Sequence, residues 1–455
     1  MKTRFLPILG AVAIALAIAG CASYRPLPLS EHARLADRIG DIRHTLPAPA
    51  PGGNAVLIDV GRALSVDQIG LLAILNDPEL RTERGEFELA QADLTQSATL
   101  PNPSVSLSYA ALLGGPGTTG AFTASLAQDV ASLVTYRSRV SAARAHVSEV
   151  NASLLWKEWQ VAQKARLLAV DLYWGQRSID GSEAAFQSLS KEAAEVSRAV
   201  DAGSMGLSEL SPILASKASA EHTLASMRLE QLKNWQDLDG LLGMKPGIRF
   251  AIAVPQVPDV PTDLDAQITS VPARRPDLVA LQLGYRSADE SVRAAILGQF
   301  PAFVLGGTYG SDTSAVRSAG PTATFDLPIF NRNQGEVAKT RATRRLLHEQ
   351  YQARLDDSVS SILALAARSR HIAGDLAQAR QSAATAESHV KAARSAFAQT
   401  DLDQRSLMDY ESTALERRLD VIGLERGLDE ARIALALELG SGLPRIRMAP
   451  LDPLR

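Results

Sequence analysis

The amino-acid sequence predicts an α+β membrane protein built from two tandem halves, each with two β-strands and a hairpin of long helices. Three observations support this fold class. Landmark residues recur at one offset, four short segments alternate apolar and small polar residues, and two proline-free segments carry a helical period over about sixty residues. The alternating segments have about the length that a transmembrane β-strand needs.

Composition and charge argue against several classes of function. The formal net charge of -3 at pH 7 gives no basis for binding nucleic acid, and the 7 histidines show no HxxH or HExxH spacing. The sequence contains no recognisable nucleophile, base and oxyanion constellation and no phosphate-binding loop. We therefore expect no enzymatic activity, no cofactor, no metal site and no nucleic-acid partner.

The N-terminus predicts export and lipid attachment. Two basic residues precede an apolar run that ends at Ala19, which is the pattern of a secretory signal. The stretch Ile18–Cys21, "IAGC", resembles a bacterial lipobox, and Cys21 has no second cysteine to pair with. We expect residues 1–20 to be a lipoprotein signal peptide and Cys21 to carry lipid in the outer membrane, because no Asp follows it. An ordinary signal peptide with an incidental cysteine is the alternative.

The chain repeats itself once. "NDPELR" recurs as "RRPDLV", and three pairs of residues are each separated by 198 positions: Pro78 and Pro276, Ala90 and Ala288, and Pro103 and Pro301. Chance does not hold one register over such a distance. The predicted organisation is an N-terminal anchor segment at 21–63, a first repeat at 64–244, a linker at 245–262, a second repeat at 263–440 and a C-terminal tail at 441–455.

Each repeat opens with a helical segment whose proline, Pro78 or Pro276, is placed in the first turn, where proline is tolerated. A β-hairpin follows. Its second strands are predicted at Ala121–Gln128 and Pro321–Leu327, and the partner strands precede them across links rich in Gly, Ser and Thr.

After each hairpin the period changes from two to between three and four. The segments Val140–Val200 and Glu336–Gln399 predict helices of roughly 90 Å. Each meets a break, at Asp201 and Gln399, and a second helix then returns along the first. Pro212 is admissible near the start of one returning helix.

A cluster of amide side chains lies where the second hairpin becomes a long helix: Asn331, Arg332, Asn333, Gln334 and Gly335. We interpret it as a strand-to-helix junction and not as a ligand site. Either Asn can cap the helix, Gly335 relaxes the bend, and the following Glu336 favours the positive end of the helix dipole. The segment Thr135–Ser138 should do the same in the first repeat.

Taken together, "NDPEL", "RRPDL", "LPNPSVSLSY", "LPIFNRNQGE" and the long helical pairs resemble the TolC-type outer membrane efflux proteins, from about Leu64 to Gly440. Four strands leave two unpaired edges, which hydrocarbon does not tolerate, so one chain cannot close a barrel. The resemblance implies three chains: a homotrimer with a 12-stranded barrel continued by a periplasmic helical tunnel in the outer membrane of a Gram-negative bacterium.

The resemblance also implies a function and partners. Such proteins are the passive exit ducts of tripartite systems, fed by an inner membrane pump through a periplasmic adaptor. "FNRNQG" further resembles the heavy-metal branch, which is served by pumps of the resistance-nodulation-division class. Drug or solvent efflux and type I secretion are alternatives, and a lipid-anchored periplasmic coiled-coil scaffold without a pore is an alternative of another class. The four strand-length segments argue against the scaffold.

Two helical tips are candidate sites. The first tip comprises Gly203, Ser204, Met205, Gly206 and Leu207, and the resemblance makes it the candidate docking surface for the adaptor. At the second tip, Asp401 and Asp403 lie two residues apart. Threefold symmetry would repeat them as a carboxylate ring that attracts cations and gates the tunnel, as acidic rings do in the family. Helix capping is the alternative for one of the two. The second tip departs from the family pattern, because no glycine follows Phe397.

Overall fold

The computed structural model describes residues 24–46, 56–117, 119–301 and 303–446. The chain divides into two compact units, Met1–Leu35 and Ala36–Arg455. In the first unit, the described residues 24–35 have no helix or strand. The predicted signal peptide, Cys21 and the end of the C-terminal tail lie outside the described residues.

The second unit is mostly helical and contains a four-stranded sheet. Each half carries two shorter helices, two strands and two long helices in the same order. In the first half these elements are α1 (Val66–Asn76), α2 (Pro78–Ala98), β3 (Ser104–Ala110), β4 (Ala121–Asp129), α3 (Ala131–Asp201) and α4 (Leu207–Leu241). In the second half they are α5 (Leu264–Arg274), α6 (Pro276–Leu297), β5 (Phe303–Ser311), β6 (Arg317–Phe325), α7 (Gln334–Ala398) and α8 (Gln404–Leu439).

Helix starts follow local capping chemistry. Ser65 and Gln68 form a reciprocal capping box at α1. Asp77 accepts hydrogen bonds from the backbone N–H groups of Glu79 and Leu80 at α2. Pro78 and Pro276 occupy the first turns of α2 and α6, so that prediction is confirmed.

Each half of the structure is stabilised by its own apolar core. In the first, the N-terminal strand pair β1 (Thr45–Leu46) and β2 (Val56–Leu57) lies beside buried residues of α1, α3 and α4, including Leu72, Leu172 and Leu238. In the second, Leu278 of α6 packs with Ile362 of α7 and residues of α5 and α8. Full burial of each such side chain contributes about 1.5–3 kcal/mol.

A buried ion cluster joins the halves. The Arg275 guanidinium, 1% exposed, pairs with Asp277 at 2.7 Å and with Glu438, and it lies 4.7 Å from the ring centre of Trp156 in α3. Burial by itself raises the pKa of Asp277, but Arg275 and Arg354 outweigh it and hold that pKa below its ordinary value. Removing one partner of Arg275 would leave a buried charge unpaired, which would lower the free energy of unfolding by about 3–5 kcal/mol.

Two predicted boundaries are wrong. Helix α3 begins at Ala131, so Thr135–Ser138 lies inside it, and the first exposed N–H groups of α3 donate to the Asp129 carboxylate at the end of β4. Strand β6 spans Arg317–Phe325 and not Pro321–Leu327. The Asp312 side chain accepts from two backbone N–H groups of a tight turn, so pairing resumes as early as Arg317.

Within the described ranges, none of the helices combines the length and the apolar character that crossing a membrane requires.

The two tips end their helices by the same hydrogen-bond pattern. The Ser204 N–H donates to the Ala199 carbonyl at 2.9 Å, and the Asp401 N–H donates to the Ala396 carbonyl at 2.9 Å. Each loop needs one left-handed residue, which is Gly203 at φ 72° in the first tip and Thr400 at φ 61° in the second. A β-branched residue is disfavoured there, so the second tip holds the more strained turn.

Candidate channel surfaces

The four-stranded sheet has two chemically distinct faces. Its strands pair antiparallel in the order β3-β4-β5-β6, with Leu107 opposite Ala124, which in turn lies opposite Tyr309. Because side chains alternate, this register collects apolar residues on one face: Val105, Leu107, Tyr109, Phe122, Leu126, Phe303, Leu305, Tyr309, Ala323 and Phe325. Several are widely exposed, and Leu107 and Tyr109 are each 71% exposed. Monomeric soluble proteins rarely show such an apolar patch.

The opposite face of the sheet is small and hydroxyl-bearing. It carries Ser104, Ser106, Ser108, Thr123, Ser125, Gly306, Thr308, Gly310, Thr322 and Thr324. The Ser106 and Ser125 hydroxyls lie 2.6 Å apart across β3 and β4. Gly306 and Gly310 leave no space for a side chain, because an added Cβ would lie 2.4 Å and 2.7 Å from carbonyls of β4. This face suits water and the other suits lipid.

Both edges of the sheet are open within the described chain. Strand β3 pairs only with β4, and β6 pairs only with β5. Pro321 lies in the edge strand β6, where a residue without an N–H is admissible. A sheet with these faces and edges is incomplete in a membrane until another strand pairs with each edge.

The amide junction lies between β6 and α7, but its hydrogen bonds differ from those predicted. No side chain caps α7. Instead, the Asn333 Nδ2 group donates to the Ala295 carbonyl at 2.8 Å, which satisfies the last turn of α6. Asn333 itself takes the left-handed conformation at φ 57°, and Gly335 lies inside the helix. Asn, and not Gly335, therefore provides the bend, whereas Glu336 lies in the first turn as predicted.

The remaining amides stabilise the junction internally. Asn331 Oδ1 accepts from the Asn333 N–H at 3.0 Å, and Gln334 Oε1 accepts from the Arg332 N–H at 2.7 Å. These bonds fix the segment's own backbone, in the way that Asn side chains do in turns.

The first half makes an equivalent contact with different chemistry. The Tyr136 hydroxyl donates to the Ala98 carbonyl at 3.1 Å, in the last turn of α2. In both halves donor and acceptor are 38 residues apart in sequence. Each junction therefore ties the start of a long helix to the end of the shorter helix that precedes the hairpin. Sequence reasoning missed this role, because a side chain beside a helix start gives no sign that its partner is another helix.

The two tips differ in detail. All five residues of the first tip, Gly203 to Leu207, are exposed, and Leu207 is 75% exposed. At the second tip, Asp403 is the N-cap of α8. It accepts from the Ser406 N–H at 2.8 Å, and this hydrogen bond is the main cause that lowers the pKa of Asp403. Asp401 is exposed and its side chain is not used in capping.

The helical hairpins contact each other near these tips. Gln404 Nε2 donates to Glu192 Oε1 at 2.8 Å, which joins α8 to α3. Met408 packs beside Ala193, Val196 and Ile213. The second tip is therefore held against the first by one hydrogen bond and a small apolar cluster.

Among the described residues, no three His, Cys, Asp or Glu side chains are grouped so as to hold a metal ion.

Comparisons with known proteins show what the chain is similar to. Residues 268–441 match the family model described as outer membrane efflux protein. A crystal structure of CusC has TM-score 0.69 at 17% identity and covers 83% of this chain and 92% of CusC. A membrane protein from Pseudomonas aeruginosa has TM-score 0.70 at 17% identity, covering 93% of this chain and 98% of its own. The open state of the MtrE outer membrane channel of Neisseria gonorrhoeae has TM-score 0.66 at 16% identity, covering 84% and 91%. No curated protein matches the sequence.

The chain is thus similar in fold to outer membrane efflux channels. The chain has their fold across most of its length, and its second half carries their sequence pattern. The resemblance to TolC-type outer membrane efflux proteins is confirmed.

The two junction contacts generate a test. Replacing Tyr136 by Phe or Asn333 by Gly removes one hydrogen bond each, and Gly keeps the left-handed backbone. Each loss should cost about 0.5–1.5 kcal/mol locally. Hydrogen exchange in the last turn of α2 or α6 should accelerate by roughly two- to tenfold. Replacing Gln334 by Ala, which leaves both contacts in place, is the control. Equal protection in all variants would contradict the tie.

Proposed function

We propose that the chain forms the outer membrane exit duct of a tripartite efflux system, as a homotrimer with four barrel strands and two helical hairpins from each copy. One observation supports this most directly. A sheet with one apolar face, one hydroxyl face and two open edges leads directly into helices of 71 and 65 residues. In a trimer, β6 of each copy pairs with β3 of the next, which completes a 12-stranded barrel and leaves no edge in lipid.

The direction of transport comes from partners, because a passive duct has no energy source of its own. An inner membrane pump of the resistance-nodulation-division class delivers the cargo, and a periplasmic adaptor docks at Gly203 to Leu207. Exposure of Met205 and Leu207 at this tip fits a docking role, since apolar residues at the centre of an interface contribute most to binding.

Several classes of cargo fit an exit duct of this kind. A heavy-metal cargo is suggested only by "FNRNQG", yet the side chains of that segment hydrogen-bond to the backbone of the junction. The junction therefore explains these residues without reference to cargo. Drug or solvent efflux and type I secretion remain the alternatives, and export of radiolabelled drug and of metal by cells that carry the whole system distinguishes them.

The two faces of the sheet predict opposite effects of adjacent substitutions. Leu107→Lys places a charge on the lipid face and should cost about 2–4 kcal/mol per chain near the bilayer midplane. Ser106→Lys places the same charge on the hydroxyl face and should be tolerated. We expect wild-type protein and the Ser106 variant to run as heat-labile oligomers near three times 48.5 kDa and to conduct in planar bilayers. The Leu107 variant should fail to assemble. A monomeric wild-type protein by light scattering would exclude the barrel.

The acidic pair at the second tip is proposed as the gate. Changing Asp401 and Asp403 together to Asn removes both charges but keeps a good N-cap residue at α8. Single-channel conductance should rise and cation selectivity should weaken, because the carboxylate ring is lost. Glu209→Gln, at the first tip, is the matched control and should change neither. An assembled Asn double variant with wild-type conductance would leave Asp403 with capping alone.

Lipid attachment is proposed at Cys21. Wild-type protein should incorporate labelled palmitate in cells, and Cys21→Ser should abolish the label. Channel activity should persist in part, since the barrel spans the membrane and acyl chains add only a supplementary anchor. Unlabelled wild-type protein would refute the lipoprotein assignment.

A further inference from the structure

Basic residues collect at the membrane-proximal ends of both long helices. From Val130 to Ser148 the chain carries arginines and no acidic residue, and from Asn331 to His348 five Lys and Arg residues accompany one Glu. Six arginines in these stretches are exposed, and two of them, Arg139 and Arg332, donate to backbone carbonyls. The other four are Arg137 and Arg144 of α3 and Arg341 and Arg345 of α7. We call these four the basic collar. The two halves share it although their sequences there differ.

The collar guanidinium groups make no hydrogen bond or ion pair to any other group in the described part of the chain. Nearby carboxylates are already engaged. Glu149 pairs with His146, Glu336 pairs with Lys339, and Asp289 pairs with Arg344. Glu349, four residues after Arg345, contacts the His348 ring at 3.2 Å. Ion pairing within the chain therefore does not account for the four arginines.

All four arginines lie on one side of the helical layer. The helices contact in the order α2, α3, α6, α7. On α3, Tyr136 contacts α2 and Ala142 contacts α6. Arg137 and Arg144 are seven residues apart and therefore share one side of α3, which is neither of the two sides that face these neighbours. On α7, Arg344 contacts α6, and the collar residues lie on the adjoining side.

Chain handedness identifies that side as the one beneath the apolar face of the sheet. The Val130 N–H donates to the Phe303 carbonyl, which shows which backbone groups of β4 face β5. By alternation, Leu126 also directs its N–H and C=O to β5, and its side chain lies on the apolar face. Consider the sheet viewed from its apolar face, with α3 at the bottom. Because the residues are L-amino acids, this orientation of the Leu126 backbone and side chain places β5 to the left of β4. The α-helices that follow these strands are right-handed. In this view, the sides of α3 and α7 that bear the collar arginines therefore face the viewer, on the same side as the apolar face of the sheet.

In the proposed membrane placement, the upper pair of collar residues lies just below the lipid headgroups. At 1.5 Å per residue, Arg137 and Arg341 are about 9 and 11 Å below the starts of their helices, and Arg144 and Arg345 about 20 and 17 Å. The headgroup layer extends roughly 5–8 Å beyond the hydrocarbon. The long side chains of Arg137 and Arg341 reach it, whereas the lower pair lies beyond one Debye length at physiological salt and contributes mainly at low ionic strength.

We propose that the basic collar binds anionic phospholipid headgroups in the periplasm-facing leaflet of the outer membrane. This inference rests on the proposed membrane placement of the sheet and adds a lipid preference to it. Apolar face and collar form one continuous outer surface, with hydrocarbon against the sheet and phosphate against the guanidinium groups. In a trimer the collar repeats three times and surrounds the barrel.

The test uses the full-length protein and vesicles of phosphatidylcholine with or without phosphatidylglycerol, at low and high salt. Wild-type protein should insert preferentially into the anionic vesicles at low salt, by about fivefold for each arginine that reaches the surface. A variant with all four collar arginines changed to Gln should lose most of that preference. The corresponding Lys variant should keep it, which separates charge from folding defects.

A matched control removes four charges far from the membrane, at Arg368, Arg370, Lys391 and Arg405, and should retain the wild-type preference. An unchanged preference in the collar Gln variant would refute the proposal. Altered ion selectivity of that variant with unchanged lipid preference would place the arginines in the tunnel and refute it as well. Equal wild-type insertion into both vesicle types overturns the collar but leaves the channel intact, whereas failure to insert into either overturns both.

Discussion

In the proposed channel, every backbone N–H and C=O group within the hydrocarbon needs a partner, and this requirement governs the molecule. Four strands satisfy each other internally and leave two edges, β3 and β6, that no part of the described chain covers. The sequence meets the same requirement at the level of side chains, because one face of the sheet is apolar and the other bears hydroxyls and glycines. In the proposed channel, assembly is therefore a condition of membrane insertion and not an addition to it.

Below the sheet, the structure depends on how each strand passes into a long helix. The Tyr136 hydroxyl and the Asn333 amide each reach a carbonyl in the last turn of a shorter helix. Two different side chains thus perform one task, because the last turn of a helix leaves carbonyl groups without a partner in that helix. Farther down, the Arg275 cluster joins α3, α6 and α8.

Much of this was predictable from local chemistry. Alternation gave the strand faces, first-turn prolines gave the starts of α2 and α6, and proline-free alanine-rich segments gave the long helices. Other features depend on contacts that local pattern does not encode. Asp129 ends a strand and also serves the helix after it, so α3 begins earlier than its period suggests. Asn333 bonds a helix distant in sequence, and Thr400 occupies a left-handed position where glycine is usual. The tip turn tolerates that strain because hydrogen bonds on both sides fix it.

The alternation of faces also limits how such a protein changes over evolutionary time. In the proposed membrane placement, removing Val105 from β3 would turn Ser106 towards lipid and Leu107 towards water, and would invert every later position of that strand. Insertions and deletions within the strands are thus acceptable only in even numbers. The turn between β3 and β4, with its run of glycines, carries no such parity rule. Length variation among descendants of this chain should therefore accumulate in the turns and be almost absent between Ser104 and Ala110.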